Sequence, residues 1–442
     1  MKLYNLKMFI LGLAALAVFG TSCELDDIPD PNNPTLEALT DGGTAEDIRL
    51  MATGLESAIR SDIEFYYWTV SIVGREYYDL RGTDPRYTGE LLGAEGAILD
   101  NNGFLTTRTF GGRYRAIRNA NNFLTALDNT SASFTTEEIN AYRGFATALK
   151  AYQLLLVFNH QYQNGSRTDV ADVDNLGPIV SYDEGLRFIQ EQLDEAAELL
   201  NNGGDAFAFN STLEETPAEM AQFANALGAR VALYRNDKDG ALSRLENSYF
   251  DLDGDLNRGT YHQFGASGND TRNPLFNVPN TTPYVATADF LANADAGDTL
   301  RLPMKVTPFV ETEDLSLPIT LAGLSGDTQV TLYSSDVASI PIIRNEELIL
   351  IYAEANIGSD TDAAVEALSR IRMAAGIEEG YTGGTSDEEL LDAVLQERRY
   401  SLYGEGHRWI DLRRLGRLDE IVKDRPDDVI HVMFPLPVLE TP

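Results

Sequence analysis

Apolar residues recur at spacings of three and four along several separated stretches of this chain. Between Tyr142 and Phe158, for example, Phe145, Leu149 and Tyr152 fall on one stripe. Such spacing is typical of amphipathic helices that bury one face. The helices predicted in this way cover Tyr142 to Phe158, Leu186 to Leu200, Thr216 to Tyr234, Glu346 to Asn356, Ala363 to Met373 and Asp387 to Tyr403. The sequence therefore predicts a mostly α protein.

The predicted helices are short and rich in small residues such as Ala146, Ala148, Ala226 and Ala229. Small residues allow neighbouring helices to pack closely in pairs, as they do in tetratricopeptide-like arrays. No strict repeat of about 34 residues is visible, so the array is expected to be irregular. We therefore expect a tetratricopeptide-like scaffold of helical pairs, an α/α superhelix.

Two loop-rich regions interrupt this helical pattern, at about residues 61–115 and 249–343. In the second, Gly, Asn, Asp, Pro and Thr surround short β-prone pieces, such as Phe276 to Val278 and Gln329 to Tyr333. Long loops in an ordered domain more often bind ligands than fill space. Two such insertions on one helical scaffold are expected to form a groove.

The charge and the cysteine count exclude several classes of function. The chain has 442 residues and a formal net charge of -35, from 34 Lys and Arg against 69 Asp and Glu. Such a surface repels phosphate, which makes nucleic acid a poor partner. One Cys excludes an intramolecular disulfide and a zinc site built on several thiolates, and the four His are too scattered for a local zinc motif.

The amino terminus has the features of a secretory signal. Two lysines precede an apolar run from Met8 to Phe19, and small residues lead to Cys23. The run is shorter than the roughly 20 residues that span a bilayer, so we expect residues 1–22 to be a cleaved signal peptide. Cys23 stands as in the lipobox that bacterial lipoproteins carry, which predicts that it is lipidated; a plain secreted protein is the alternative. Residues 23–40 are expected to form a flexible tether, and 41–442 a single folded body.

The carboxyl-terminal part resembles a known family. The segments RNEELILIYAEAN (344–356), EALSRIRMAAG (366–376), LQERRYSLYGEGHRWIDLRRLG (395–416) and FPLPVLE (434–440) closely resemble the RagB/SusD family of Bacteroidota outer-membrane lipoproteins. The acidic residues directly after Cys23 also resemble the signal that sends such lipoproteins to the cell surface. This resemblance implies a lipid-anchored protein facing outward from the outer membrane.

The resemblance also implies a function. Members bind oligosaccharides, or in some branches peptides, in loops on a tetratricopeptide-like scaffold, and deliver them to a SusC-type TonB-dependent transporter. The chain is therefore expected to be a binder and not an enzyme, and to need no cofactor. The family signature residues Arg408, Trp409 and Asp411 are expected to stabilise the fold.

Ligand binding is then expected in the loops. Sugar rings stack on aromatic planes, and their hydroxyl groups need planar polar partners. Trp68 leads the candidates, because Trp409 is already assigned to the fold. The expected ligand-binding residues are Trp68, Tyr66, Tyr67, Arg75, Tyr78, Arg81, Tyr87 and Tyr284. In the alternative interpretation, Phe65, Trp68 and Ile72 form a helical stripe that faces the core.

Arginine is enriched near Trp68, with seven Arg between Arg75 and Arg118. One interpretation is that these cations pair with the acidic residues interspersed among them. The other is that Arg75, Arg81 or Arg86 binds a carboxylate or sulfate of an anionic glycan.

Two further patterns each have two interpretations. Asp251, Asp253 and Asp255 alternate around a glycine as in a calcium loop, although His262 stands where a loop glutamate belongs; a surface turn is the alternative.

Paired carboxylates beside a histidine can also serve a glycoside hydrolase. That group consists of Glu397, Glu405, His407 and Asp411. The alternating charges favour a structural network instead, with Glu397 and Arg408, or Arg399 and Asp411, as pairs.

Overall fold

The fold is mostly helical, in a computed structural model that describes residues 39–268, 270–281, 284–313 and 315–440. The helices are α1 Ala45–Ala58, α2 Ile63–Val73, α3 Phe104–Asn129, α4 Thr136–Gln161, α5 Tyr182–Asn201, α6 Pro217–Tyr234, α7 Lys238–Leu245, α8 Ala288–Ala292, α9 Leu302–Lys305, α10 Asn345–Asn356, α11 Thr361–Ala374, α12 Asp387–Ser401 and α13 Arg408–Arg414. Every helix predicted from apolar spacing is present, with ends that differ by a few residues.

Local sequence explains where the helices begin. In α6, the Thr216 hydroxyl accepts from the Glu219 backbone N–H while the Glu219 carboxylate accepts from the Thr216 N–H, and Pro217 occupies the first turn. Such a capping box satisfies two backbone donors that the helix leaves unpaired. The same arrangement starts α1, α4, α5 and α12, at Thr44, Thr135, Ser181 and Ser386.

Helices α3 to α6 pack one upon the next, and α10 packs against α11 and α12. The predicted stripes face inward, because Phe145, Leu149 and Tyr152 are buried. Gly185 of α5 allows close contact with α4, since a Cβ there would lie 2.1 Å from the Phe158 ring. Paired helices packed through small residues therefore confirm the mostly α architecture.

Short antiparallel strands tie the irregular segments to this scaffold. The strands are β1 Tyr77–Asp79, β2 Ser166–Arg167, β3 Ile179–Val180, β4 Gly259–His262, β5 Tyr284–Ala286, β6 Val306–Pro308, β7 Ile319–Leu321, β8 Leu324–Gly326, β9 Thr328–Val330 and β10 Ile340–Arg344. One sheet has the order β1, β5, β9, β6, and β4 pairs with β10. Because β1 and β5 come from different loop-rich regions, their pairing brings the two regions together.

The first loop-rich region is narrower than expected. Helix α2 occupies Ile63–Val73 and α3 begins at Phe104, so the irregular part spans residues 74–103. Almost every side chain of α2 is buried, so the helix has no polar face to reveal its period. In the second region, Phe276 to Val278 forms no strand, whereas β9 overlaps the first two residues of the other β-prone piece, Gln329 and Val330.

The predicted signal peptide, Cys23 and all but the last two tether residues lie outside the described residues. Within the described ranges, no helix is long and apolar enough to cross a membrane.

Candidate functional site

An aromatic cluster lies where the two loop-rich regions meet. Trp68 is half-buried, and its ring stacks on Tyr284 with the centroids 6.3 Å apart and the planes 23° apart. The Phe65 and Tyr87 rings contact Trp68 edge-on, at 5.3 and 6.4 Å. Phe104 contacts Phe65 and Tyr87 in turn. We call Phe65, Trp68, Tyr87, Phe104 and Tyr284 the aromatic face.

Local structure explains why these rings meet. Phe65 and Trp68 are three residues apart on α2, so they project from the same side of the helix. Tyr284 is placed by strand pairing, since it lies opposite Asp79 in the β1–β5 register. This long-range pairing brings Tyr284 beside Trp68.

Arg81 lies over the aromatic face, two residues beyond Asp79. Its guanidinium carbon is 4.6 Å from the Tyr284 ring centroid and 5.4 Å from that of Trp68. Its Nε and Nη2 donate to the Asp79 carboxylate at 2.9 and 2.6 Å. A cation held over a ring is attracted by the ring's negative face, and the carboxylate balances its charge. The arginine therefore adds planar donors to the aromatic face without a net charge.

Several donors at this face have no acceptor in the described part of the chain. They are the indole N–H of Trp68, Nη1 of Arg81 and the buried hydroxyl of Tyr284. Burial raises the pKa of Tyr284, so its hydroxyl stays protonated. A buried polar group without a partner costs free energy unless a ligand or water satisfies it. Apolar ring surface beside unpaired donors complements a polyhydroxylated ring.

Two further arginines beside the aromatic face also lie over a ring and pair with an aspartate. Arg86 lies 4.1 Å from the Phe104 ring centroid and pairs with Asp84, and Arg108 lies over Phe65 and pairs with Asp62. Among the three candidates for an anionic ligand, Arg75 faces Asp428 at 3.4 Å, while Arg81 and Arg86 have their own aspartates. This geometry favours the interpretation that the arginines near Trp68 pair within the protein.

The structure brings Trp68, Arg81, Tyr87 and Tyr284 together; Trp68 and Arg81 are half-buried, whereas Tyr87 and Tyr284 are buried. The expectation for Tyr66, Tyr67, Arg75 and Tyr78 needs correction, because among the described residues none of them makes a ring contact with the aromatic face. These four side chains are buried in the core. Arg75 donates to the Leu92 carbonyl at 2.7 Å, and the Tyr67 hydroxyl donates to the Pro341 carbonyl at 3.3 Å. Because α2 is buried nearly all round, its tyrosines pack inside instead of lining the groove. The alternative interpretation, a helical stripe of Phe65, Trp68 and Ile72 that faces the core, is correct only in part. Phe65 and Ile72 are buried, whereas Trp68 is half-exposed.

A cavity of about 840 Å³ adjoins the aromatic face. Leu332 and Tyr333 line this cavity and also the small pocket beside Trp68 and Tyr284. The cavity could not be predicted from the sequence, because its walls come from segments that are distant along the chain and meet only in the folded protein. The available signal was the loop-rich region 249–343, which was expected to bind ligands and supplies most of the lining residues.

The carboxylates considered for hydrolysis are held in ion pairs. Glu397 bonds Arg301 and Arg372, each at 2.8 Å, and Glu405 pairs with Lys305 and Arg344. Asp411 bonds Arg398 and Arg414, at 2.7 and 3.1 Å. The network interpretation is therefore correct, but its partners differ from the expected pairs with Arg408 and Arg399.

Two neighbouring residues, His407 and the signature residue Trp409, are buried in the fold. Burial lowers the pKa of His407 to about 4, so its ring is neutral near pH 7. Trp409 is fully buried, and its indole N–H donates to the His431 carbonyl at 2.8 Å.

The Asp251 to Asp255 segment is a surface turn in the structure. Its carboxylates accept from backbone N–H groups within the turn, Asp251 from Asp253 at 3.1 Å and Asp255 from Asn257 at 2.9 Å. Among the residues described, no group of three or more His, Cys, Asp or Glu is arranged to hold a metal ion. The bonding therefore favours the turn interpretation.

Comparisons with known proteins support this fold. The sequence profile of the SusD family matches residues 325–428. A curated relative, SusD-like protein P38 of Formosa agariphila, is 30% identical over 160 residues, which cover 33% of this chain and 30% of the relative. The match thus spans less than a third of that relative's length.

Two solved structures are similar along most of the chain. A SusD superfamily protein from Bacteroides vulgatus has a TM-score of 0.66 at 16% identity, and the match covers 89% of this chain and 96% of that one. Surface glycan-binding protein A from Bacteroides thetaiotaomicron, solved in complex with laminarihexaose, has a TM-score of 0.68 at 16% identity, covering 90% and 97%. These two neighbours show that the chain has the fold of SusD superfamily structures, and the matched profile shows that its residues 325–428 are similar to the SusD family.

Proposed function

We propose that this protein binds an oligosaccharide at the aromatic face. The observation that carries the proposal is the half-exposed Trp68, stacked on the buried Tyr284 beside Arg81, with the Trp68 indole N–H and the Arg81 Nη1 lacking an acceptor among the described residues. Aromatic planes bind the CH faces of sugars, while planar donors bind their hydroxyl groups. The relative solved with laminarihexaose supports a glycan as the ligand class.

The ligand at this face is proposed to be neutral. Arg81 and Arg86 each have their own aspartate, and Arg108 shares Asp62 with Arg115, so each of these described cations is already engaged by a carboxylate. A charged ligand would have to displace an aspartate from an arginine, which breaks a charge-assisted hydrogen bond. A peptide on the same scaffold was the alternative, but nothing at the aromatic face favours it over a sugar.

Replacing Trp68 with alanine should weaken binding of neutral hexasaccharides at least tenfold, or by about 1.4 kcal/mol. The reason is the loss of both the stacking plane and the indole donor. Isothermal titration calorimetry with a panel that includes laminarihexaose measures the change.

Tyr381→Ala is the matched control, because Tyr381 is a half-buried aromatic residue in the loop after α11, outside the aromatic face. Melting temperatures of both variants separate lost contacts from lost folding. Unchanged affinity in a folded Trp68→Ala protein would refute the proposed site.

The protein is further proposed to act by binding alone. The pairs of Glu397 with Arg301 and of Glu405 with Arg344 support this, because a carboxylate held by a cation is a poor general acid. Release of products from labelled polysaccharides would contradict it, if a Glu405→Gln variant released none.

Lipid anchoring at Cys23 and delivery to a SusC-type TonB-dependent transporter at the outer membrane complete the proposal. The apolar leader and the single cysteine behind it support the anchor. Labelling cells with a palmitate analogue should mark the wild-type chain and not a Cys23→Ala variant. The anchor proposal fails if both chains are labelled equally or if neither is. Co-purification of the labelled chain with a transporter of this type tests delivery.

A further inference from the structure

The cavity beside the aromatic face has its own binding character. Its apolar wall includes Pro303, Met304, Leu332 and Tyr333. At about 840 Å³ it lies in the range of small-molecule sites, which combine mostly apolar walls with a few polar groups. The cavity is therefore large enough for one or two sugar rings.

Most charged groups in this cavity are already paired. Arg344 binds Glu346 at 2.7 Å and also Glu405, which pairs with Lys305 at 3.3 Å. Arg301 binds Asp298 at 2.6 Å and Glu397 at 2.8 Å. Asp255 is exposed and accepts a hydrogen bond within its turn.

Arg370 differs from these cations. Its Nε and Nη2 donate only to the backbone carbonyls of Leu252 and Gly254, at 3.2 and 3.0 Å. Nη1 has no partner, and no carboxylate of the described chain lies within ion-pair distance. Acidic residues outnumber basic ones by 69 to 34 in this sequence. Although Asp255, Glu346 and Glu405 also line this cavity, Arg370 pairs with none of them, so this half-buried arginine retains its capacity to bind an anion.

Two hydroxyl groups in the same cavity are also unpaired. Thr331 Oγ1 is buried without a hydrogen-bond partner, and the Tyr333 hydroxyl has none among the described residues. Burial raises the pKa of Tyr333, so this hydroxyl remains a donor. Such groups are expected to gain a partner from a polar ligand.

We propose that this cavity is a second site, which binds a sugar that carries a carboxylate. The carboxylate binds Arg370, the hydroxyl groups of the sugar bind Thr331 and Tyr333, and its CH face packs against Leu332. The site is separate from the neutral site at Trp68, although the two share Leu332 and Tyr333 as a common wall.

The test compares trigalacturonate with its fully methyl-esterified form, which has the same rings without the charges. Calorimetry on the mature chain should show at least tenfold weaker binding of the ester. Arg370→Gln should weaken trigalacturonate binding at least tenfold, and Arg370→Lys should weaken it less because it keeps the charge. Arg187→Gln, which removes an exposed arginine of α5, should have no effect.

The outcomes separate this site from the aromatic face. Trp68→Ala should leave trigalacturonate binding unchanged, whereas Arg370→Gln should leave neutral hexasaccharide binding unchanged. The proposal is overturned if acid and ester bind equally, if neither binds, or if Trp68→Ala removes trigalacturonate binding. Arg370 also holds the turn at Leu252 and Gly254, so its replacement alters local structure as well as the site. Tyr333→Phe therefore provides a second variant. It should weaken trigalacturonate binding at least threefold, because one hydroxyl group is lost. Unchanged affinity in both Arg370→Gln and Tyr333→Phe also overturns the proposal.

Discussion

Replacing Glu347 with alanine is expected to lower the free energy of unfolding by about 3–5 kcal/mol. Glu347 on α10 accepts from Nε and Nη2 of Arg230 on α6, at 2.7 and 2.5 Å. Both side chains are buried. Burial opposes ionisation of Glu347, but the charge of Arg230, its hydrogen bonds and the other nearby positive groups together outweigh this effect and lower the pKa to about 2. Without Glu347, the Arg230 cation remains buried with one carbonyl partner, Ile342.

Urea denaturation measures the lost free energy of unfolding, and an ion pair on the protein surface serves as the matched control. Asp128→Ala breaks the exposed pair of Asp128 and Arg143, and it should cost less than about 1 kcal/mol. A double variant, Arg230→Met with Glu347→Leu, should recover most of the lost stability, because no charge then stays buried unpaired. Equal losses for Glu347→Ala and Asp128→Ala would contradict this account of how α6 and α10 are joined.

Acid should destabilise the fold through histidines that are buried in their neutral form. Burial lowers the pKa of His262 from 6.5 to about 3, and the charges of Arg113 and Arg60 lower it further. The stability that neutral His262 contributes is fully present above pH 6.5 and is lost as the pH falls towards 3, because only the unfolded chain binds the proton in that window. The stability that neutral His407 contributes is likewise lost as the pH falls from 6.5 towards its pKa of about 4.

Glu76 should change the pH dependence of stability in the opposite direction to the buried histidines. Burial raises its pKa from 4.5 to about 7, against the hydrogen bond that it accepts from the Gly404 N–H. Its contribution to stability is fully present below pH 4.5 and is lost as the pH rises through 7, because the folded state holds the proton longer.

Two variants isolate these opposite contributions. Between pH 4.5 and 6.5, His262→Gln should reduce the slope of unfolding free energy against pH by about 1.4 kcal/mol per pH unit, the value for one proton. Glu76→Gln should increase the slope by a similar amount. Denaturation at half-unit pH intervals measures both slopes, and a shift of the same sign in both variants would contradict the account.

The sequence predicts the scaffold well because its signals are local. Helix α5 has one buried stripe and four exposed glutamates, at positions 184, 191, 195 and 198, so both its period and its orientation can be read from the chain. Helix α2 is apolar on all sides, so no comparable contrast exists there. The same lack of contrast explains why buried Tyr66 and Tyr67 could not be told from half-exposed Trp68.

The candidate site depends on contacts that are distant in sequence. Trp68 and Arg81 lie in one region, but only the pairing of β1 with β5 brings Tyr284 to them. Arg370 lies on an amphipathic helix, and only the tertiary structure reveals that it lines a cavity and pairs with no carboxylate of the described residues. Residue types were therefore enough to predict the aromatic candidates. Strand register and burial were needed to decide which of them form the candidate site.

The central claim, oligosaccharide binding at the aromatic face, is tested most directly by the two tryptophan indole resonances. The sequence contains two Trp, so a chain labelled with ¹⁵N-tryptophan gives two indole N–H signals. Trp68 has no hydrogen-bond acceptor among the described residues, whereas Trp409 is buried and bonded to the His431 carbonyl. During titration with neutral hexasaccharides, including laminarihexaose, the signal absent from a Trp68→Phe variant should shift to saturation while the other stays fixed. Saturable binding that leaves the Trp68 signal unmoved would contradict the claim.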